Sequence, residues 1–258
     1  MLQEVRFQRI RSLLATFSSL SVDRIVQDLK VSRETVRRDL IELEILGDLR
    51  RVHGGVVTPG AVPEPPLAVR LAARQKEKRA IAKAAVALLQ PGQTLFLDAG
   101  STNLILSEEI ATLSGMTVIT NSVNIALKLA GADEARAARN KILLLGGEID
   151  VKAQATFGEG TLEQIRRFRA DVVFLSPVGL HPRHGAMSFE HHEAAVARAM
   201  VEQAQLVVIL ADHHKLGQGS RVTYADNADI DVIVTDAGAR ALPALAALRK
   251  GSSRIIVA

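Results

Sequence analysis

Seven short runs rich in β-branched residues recur between residue 94 and the last residue: TLFLD (94–98), MTVIT (116–120), KILLLGG (141–147), DVVFLSPVG (171–179), LVVILAD (206–212), DVIVTD (231–236) and RIIVA (254–258). Amphipathic helical patterns fall between most of them. Parallel strands need crossovers, so this alternation predicts an α/β unit with a largely parallel sheet covered on both faces. An Ala-rich helix is expected ahead of the runs, over residues 67–89, stopped by Pro91-Gly92. No internal repeat and no low-complexity tract is present.

The first 57 residues have a different texture. EVRFQRIRSLLATF places Val5, Ile10, Leu13 and Leu14 at near-helical spacing. SVDRIVQDL offers Ser21 as an N-cap, Asp23 in the first turn, and Ile25, Val26 and Leu29 as a buried stripe. After Lys30-Val31, Ser32 caps RETVRRDLIELEIL, whose Val36, Leu40, Leu43 and Leu46 line one face and which Gly47 ends. LRRVH, then GG, then VV describe a hairpin turned by Gly54-Gly55. Three helices and a hairpin form a winged helix-turn-helix. TPGAVPEPP, with four prolines in nine residues, cannot hold a regular helix and reads as a linker. At 258 residues the chain is long for one core. The expected division is a winged helix-turn-helix at 1–57, a Pro-rich linker at 58–66 and a larger α/β domain at 67–258.

There is no cysteine, which excludes a disulfide framework and thiolate metal sites and fits a reducing compartment. The opening MLQEVRFQRIRSLLATF carries charges where a signal peptide needs an apolar core, and no segment has the uninterrupted apolar length of a membrane span. A cytoplasmic chain without membrane association is the expectation. The net charge of +4 suits a polyanionic partner but does not demand one. Residues 1–58 hold ten Lys and Arg against eight Asp and Glu, so any case for nucleic acid rests on arrangement.

That arrangement is present in VSRETVRRDL. With Val36 at the centre of the buried stripe, Arg38 and Glu34 point nearly the opposite way and Arg37 sits on the flank. A helix that follows another after a tight turn, with outward arginines in its first turns, has the form that enters a major groove. Ser32 and Thr35 stand at its N-terminus, where phosphate is favoured. An ordinary solvated face, with Arg38 paired to Glu34 or Glu42, accounts for this helix alone. It does not account for a second basic cluster, Arg50-Arg51, on the hairpin.

VSRETVRRDL followed by LGDLRRVHGGVV resembles the head of the DeoR family of bacterial transcriptional regulators, through Ser32, Thr35, Arg37, Arg38, Asp39, Arg51, His53, Gly54 and Gly55. The resemblance implies an operator-binding winged helix, most often in a repressor, joined to an effector-sensing domain. Its candidate DNA contacts are Ser32, Arg33, Thr35, Arg37, Arg38, Arg50, Arg51 and His53. Asp39 lies towards the core side of its helix, so a structural hydrogen bond or ion pair is expected of it.

In TLFLDAGSTNLILSEEI a strand, a small polar loop and a helix follow one another. Gly100, Ser101 and Thr102 leave the backbone open to a ligand, and a helix N-terminus favours an anion. Asp98 repels phosphate and better suits a sugar hydroxyl or the amides of its own loop. The family's sensing domain is similar in fold to ribose-phosphate isomerases and CoA transferases, and its ligands are phosphorylated sugars or polyols. The matching strand ends are Asp98, Gly100, Ser101 and Thr102, then Asn121, Gly146-Gly147, Gly179, Glu193, and Asp212 with Lys215. Open α/β sheets form their binding crevice at the carboxyl ends of the strands. Asn121 is either a helix cap or a ligand contact; Gly146-Gly147 is a tight turn whose backbone lies close to something; Lys215 is a phosphate contact or a surface charge. The sequence departs from the family at Ala197, where a Lys often precedes the Arg, leaving Arg198.

A sugar-phosphate isomerase with an accessory DNA-binding head is the alternative. Such chemistry needs a carboxylate base. The acidic pair that enzymes of similar fold carry is replaced here by Ser176, Pro177, Val178 and Gly179, leaving Glu193 as the one candidate base, so no catalytic residue and no cofactor are expected. His181, His184, His191, His192, His213 and His214 invite a metal, but no H-E-x-x-H accompanies them and no metal site is expected. The expected partners are double-stranded operator DNA, a phosphorylated sugar or polyol, and a second copy or more of the chain, as a homodimer or homotetramer.

Overall fold

The computed structural model describes residues 2–17, 19–46, 48–52, 55–57, 65–131 and 139–258. The chain forms two compact units, Met1–Pro63 and Glu64–Ala258.

In the first unit, α1 (Gln3–Phe17), α2 (Val22–Leu29) and α3 (Arg33–Ile45) enclose a core of Phe7, Ile10, Leu14, Ile25, Leu29, Val36, Leu40 and Leu43. Ser21 and Ser32 cap α2 and α3 as their positions predict, accepting from the amides of Arg24 and Thr35. Lys30, in the left-handed conformation at φ 52°, closes α2 and lets α3 start after only Val31 and Ser32. Two expectations for the buried stripes fail. Val5 is exposed and Phe7 is buried instead, and Leu46 lies on the surface because α3 has already turned away from the core at Leu43. Gly47, Gly54 and the linker residues 58–64 lie outside the described residues.

The hairpin strands β2 (Arg50–Val52) and β3 (Gly55–Val57) pair antiparallel, and β1 (Ser19–Ser21) adds to β3 to give the order β1-β3-β2. A Cβ at Gly55 would stand 2.3 Å from the Leu20 carbonyl oxygen, so this crossing of strands admits only glycine.

The second unit begins with α4 (Leu67–Ala72) and α5 (Gln75–Val86). One continuous helix was expected here; instead Arg74 takes φ 51° and breaks it. No Gly or Pro marks the break. Lys78, buried in α5, donates to the carbonyls of Arg70 and Ala73, which the interruption leaves without helical partners.

All seven predicted runs become strands of one parallel sheet: β4 (Thr94–Leu97), β5 (Thr117–Thr120), β6 (Lys141–Leu144), β9 (Ala170–Leu175), β12 (Ala204–Leu210), β14 (Val232–Thr235) and β15 (Arg254–Val257). Their order is β15-β14-β12-β9-β4-β5-β6. Side chains alternate between two cores. Leu95, Leu97, Val172, Phe174, Val208 and Leu210 face a cluster containing Ile81 of α5, with Ile105, Leu106 and Ile110 of α6 (Ser101–Ile110) and Ile125 of α7 (Val123–Ala130). Phe96, Val173, Leu175, Val207 and Ile209 face the other, with Ile165 of α8 (Glu159–Arg166), Val196 and Met200 of α9 (His191–Glu202), and Leu245 of α10 (Pro243–Leu248). Burial on both faces explains why the runs read as nearly continuous hydrophobic stretches.

Two small antiparallel sheets had no counterpart in the sequence reading: β7 (Glu148–Asp150) with β8 (Ala155–Phe157), and β10 (Gly179–His181), β11 (Gly185–Ser188) and β13 (Val222–Ala225). The chain lays down β4, β5 and β6 in one direction and then returns to the other side of β4 with β9. That reversal is the switch point at which open α/β sheets form a crevice.

Candidate nucleic-acid interface and ligand crevice

On α3 the buried residues Val36, Asp39, Leu40 and Leu43 fix the helix on the core, leaving Arg33, Arg37 and Arg38 exposed. Asp39 is 1% exposed and takes a two-pronged ion pair from Arg6 of α1, so it serves the head's packing. The Ser32 hydroxyl is shared between the Thr35 amide at 3.1 Å and the Thr35 hydroxyl at 2.8 Å. Arg33 pairs with Asp23 at 2.8 Å and Arg38 with Glu34 at 3.6 Å. Arg37 has no partner among the described residues. On the hairpin, Arg51 is held by Glu44 of α3, which accepts from both its amide and its Nε at 2.7 Å. Exposed pairs of this kind contribute little and exchange readily for a phosphate oxygen. The Arg50 side chain and His53 lie outside the described residues.

In the second unit a cleft opens at the switch point, lined among others by Arg70, Asp98, Gly100, Ser176, Glu193 and Ala197. Asp98 and Ser176 follow directly on β4 and β9, and Asn103 of α6 donates to the carbonyls of both Asp98 and Phe174, locking the two strand ends together. The Asp98 carboxylate accepts from the Ala99 amide at 2.7 Å, in keeping with a carboxylate that serves its own loop. Gly100, at φ 149°, precedes α6, where Ser101 and Thr102 are buried. The Thr102 hydroxyl has no hydrogen-bond partner among the described residues.

The remaining predicted residues divide. Glu193, in the first turn of α9, lines the cleft and accepts from the Ser188 hydroxyl at 2.7 Å. Lys215 stands behind the cleft wall, its ammonium donating to the Ser176 hydroxyl and the Pro177 carbonyl. Asn121 does not cap α7; Ser122 does. The fully buried Asn121 carboxamide instead accepts from the Ala99 amide at 3.0 Å and donates to the Thr156 carbonyl, bracing the Asp98 loop from beneath. Gly146 is gripped by Gln164 and Thr161 of α8, and a Cβ on Gly147 would lie 2.0 Å from the Thr161 hydroxyl. Gly179 lies against Gln218, whose carbonyl oxygen would be 2.5 Å from an added Cβ. These three glycines permit close backbone packing and do not line the cleft. Ala197 does line it, while Arg198 turns aside to the Thr223 carbonyl.

Sequence reasoning missed Arg70 and Lys78, because a smooth Ala-rich helix hid the corner that brings them together. Burial lowers the Lys78 ammonium to about 8, and Lys215, Arg74 and Arg70 push the same way against Asp212. Asp212 is 1% exposed and pairs with Arg74 at 3.2 Å. Among the described residues no three His, Asp or Glu side chains gather as metal ligands, and no helix is long and apolar enough to cross a membrane.

A capped helix-turn-helix with a wing, followed by a parallel α/β unit with a crevice at its switch point, defines a DNA-binding regulator with a sensor domain. Residues 6–61 match the DeoR-like helix-turn-helix domain and residues 73–237 the DeoR C-terminal sensor domain. The glycerol-3-phosphate regulon repressor of Escherichia coli (strain K12) is 31% identical over 92% of this chain and 92% of its own. The HTH-type transcriptional repressor GlcR of Bacillus subtilis (strain 168) is 32% identical over 92% of this chain and 89% of its own. Among solved structures, ribose 5-phosphate isomerase A from Methanocaldococcus jannaschii is similar over 55% of each chain, at 16% identity and a TM-score of 0.38. The chain belongs to the DeoR family and is a DNA-binding transcriptional regulator.

Proposed function

We propose that this regulator is a cytoplasmic repressor of carbohydrate or polyol metabolism genes, governed by a phosphorylated sugar or polyol that enters the switch-point crevice. The division of labour follows the chain: residues 1–57 hold operator DNA, 58–66 join the domains, and 67–258 bind the effector. On the head, Arg37 and Arg38 enter the major groove and Ser32, Arg33 and Thr35 meet phosphate at the N-terminus of α3. Arg50, Arg51 and His53 reach the flanking backbone from the hairpin. In the crevice, Asp98 and Glu193 take hydroxyls while Gly100, Ser101 and Thr102 offer amides at the start of α6. Asn121, Gly146, Gly147, Gly179 and Lys215 hold the walls. The protein works as a homodimer or homotetramer, since paired heads suit repeated half-sites.

The observation that carries this reading is the cleft itself, placed where β9 returns past β4 and lined by carboxylates, a helix start and one arginine. The name of the Escherichia coli relative points to the same chemical class of ligand. Binding of the ligand acts through unequal affinity for two arrangements of the protein. The test is fluorescence anisotropy of the full chain on DNA from its own promoter, with salt and phosphorylated sugars varied. Salt-sensitive binding that shifts at least roughly tenfold with one such metabolite supports the reading. Binding indifferent to every metabolite refutes the sensor role. Turnover of a sugar phosphate that Glu193→Gln abolishes refutes a purely sensory crevice.

A further inference from the structure

At the amino ends of the central strands, the end of the sheet away from the crevice, two sets of opposite charge stand side by side. β9 starts at Ala170 and β12 at Ala204, paired in register, and the Ala170 amide donates to the Gln203 carbonyl at 3.0 Å. The end of α8 leads into β9 and leaves Arg166, Arg167 and Arg169 exposed. The end of α9 leads into β12 and, with the turn ahead of β14, borders a groove lined among others by Glu202, Asp229 and Asp231, all exposed. Among the described residues none of these six side chains forms an ion pair. Asp229 and Asp231 each give one oxygen to a backbone amide, that of Asp226 at 3.2 Å and that of Val207 at 2.7 Å, which holds the carboxylates in place. The cation among the groove's lining residues, Arg198, is spent on the Thr223 carbonyl. Phe168 sits among the arginines while Val201 and Ala204 line the groove, each only partly buried, so apolar surface accompanies both charge sets.

We propose that this end of the second unit is a two-fold interface: segment 166–169 of one copy of the chain seats in the Glu202, Asp229 and Asp231 groove of a second copy, and the reciprocal contact forms across the axis. The proposal rests on the homo-oligomer reading above and names the face that assembly uses. In a two-fold contact the same patch serves both partners, and each residue meets the partner of its opposite number. A face of one sign would repel its own copy. A face carrying both signs on neighbouring strands is complementary to itself, because a half turn lays arginines on carboxylates twice over. The guanidinium fork matches a carboxylate with paired bonds. Isolated exposed pairs contribute little. Two symmetric sets that close over Phe168 and Val201 shed water together, and their complementary potentials also fix the register of the contact. Because the face lies at the amino ends of the strands, two copies can join with the crevice of each left open.

The experiment is sedimentation equilibrium of the full chain over a range of concentrations, at low and at high sodium chloride. Two variants are compared with the natural protein, one carrying Arg166→Glu with Arg167→Glu and the other Glu202→Lys with Asp229→Lys. Each variant alone places like charges in contact on both sides of the axis, and should weaken one association step by roughly tenfold or more. Mixed in equal amounts they pair acid with base on both sides, so the mixture should regain the natural mass, which also shows that both variants fold. High salt should weaken the natural assembly. Where a charge reversal does not fold, the single changes Arg167→Gln and Glu202→Gln at exposed positions should each weaken the same step by roughly a few-fold. Natural association in the variants, or a mixture that does not reassemble, overturns this proposal and leaves the oligomer reading intact. So does an arginine variant that keeps the natural mass but loses affinity for DNA, which would assign segment 166–169 to nucleic acid. A natural protein that stays monomeric at every concentration removes the oligomer reading and this proposal with it, and leaves the groove to a basic segment of another protein.

Discussion

The Arg6 guanidinium grips the buried Asp39 carboxylate through two bonds, Nε to Oδ2 at 2.5 Å and Nη2 to Oδ1 at 2.8 Å. This pair ties α1 to the inner face of α3 and sets the roll of that helix, and so the direction in which Arg37 and Arg38 point. Asp39→Ala removes a buried carboxylate and both of its bonds to the partly buried Arg6 guanidinium, a loss of roughly 1–3 kcal/mol. Denaturant unfolding of the isolated transition of the head should register it, and operator binding should fail on warming before the sensor unit melts. An unchanged midpoint would show that the pair is incidental.

Arg37 has no protein partner among the described residues, whereas Arg38 must leave Glu34 to reach DNA. Arg37→Ala on operator DNA should therefore lower the salt slope by about one if it meets phosphate. Arg38→Ala should weaken binding by about 1–3 kcal/mol if it reads a base, with discrimination lost at a single position of the site. Anisotropy over a salt series on natural and mutated operators separates the two roles. Wild-type affinity for either variant would remove that arginine from the interface.

Gly147 sits at φ 154°, and an added Cβ would lie 2.0 Å from the Thr161 hydroxyl and 2.5 Å from the Phe157 carbonyl oxygen. Backbone and side chain both have to move to admit a methyl group. Gly147→Ala should cost about 2 kcal/mol or more in the second unit, read as a lower urea midpoint. Gly160, which has nothing within 4 Å of its built Cβ, is the contrasting position; Gly160→Ala should be close to neutral or stabilising.

Lys78 titrates near 10.5 in an unfolded chain and near 8 in the folded one. Between those values the unfolded state holds a proton that the folded state has released, so stability rises with pH across that window. The rise amounts to about 3 kcal/mol when complete. Urea midpoints of the natural protein and Lys78→Met, compared at pH 7.5 and pH 10, should diverge in favour of the natural protein as pH increases. Parallel profiles would mean that Lys78 is solvated and its burial does not govern its charge.

The parallel sheet was legible in the sequence because burial on both faces leaves long β-branched runs, and every one of them became a strand. Ser21 and Ser32 announced their helices because a cap is a local hydrogen bond between neighbours in sequence. Asp39 announced its role by falling on the wrong side of an otherwise apolar stripe. The crevice was legible only in part. Asp98 and Gly100 stand at a strand end that the pattern located and Glu193 came from the family resemblance, whereas Arg70 and Lys78 depend on a left-handed Arg74 in a stretch with every local reason to remain helical. Asn121 had the right chemistry for a cap, and Ser122 one residue later took that place, which freed the carboxamide to brace a loop across the sheet. The two small antiparallel sheets were invisible because strands of three or four residues carry too little periodicity to register.

In the order β15-β14-β12-β9-β4-β5-β6 the middle strand is β9, so the loop at Ser176 that follows it stands three strands from either margin of the sheet. Fraying at an edge strand such as β15 or β6 therefore leaves the floor of the cleft standing.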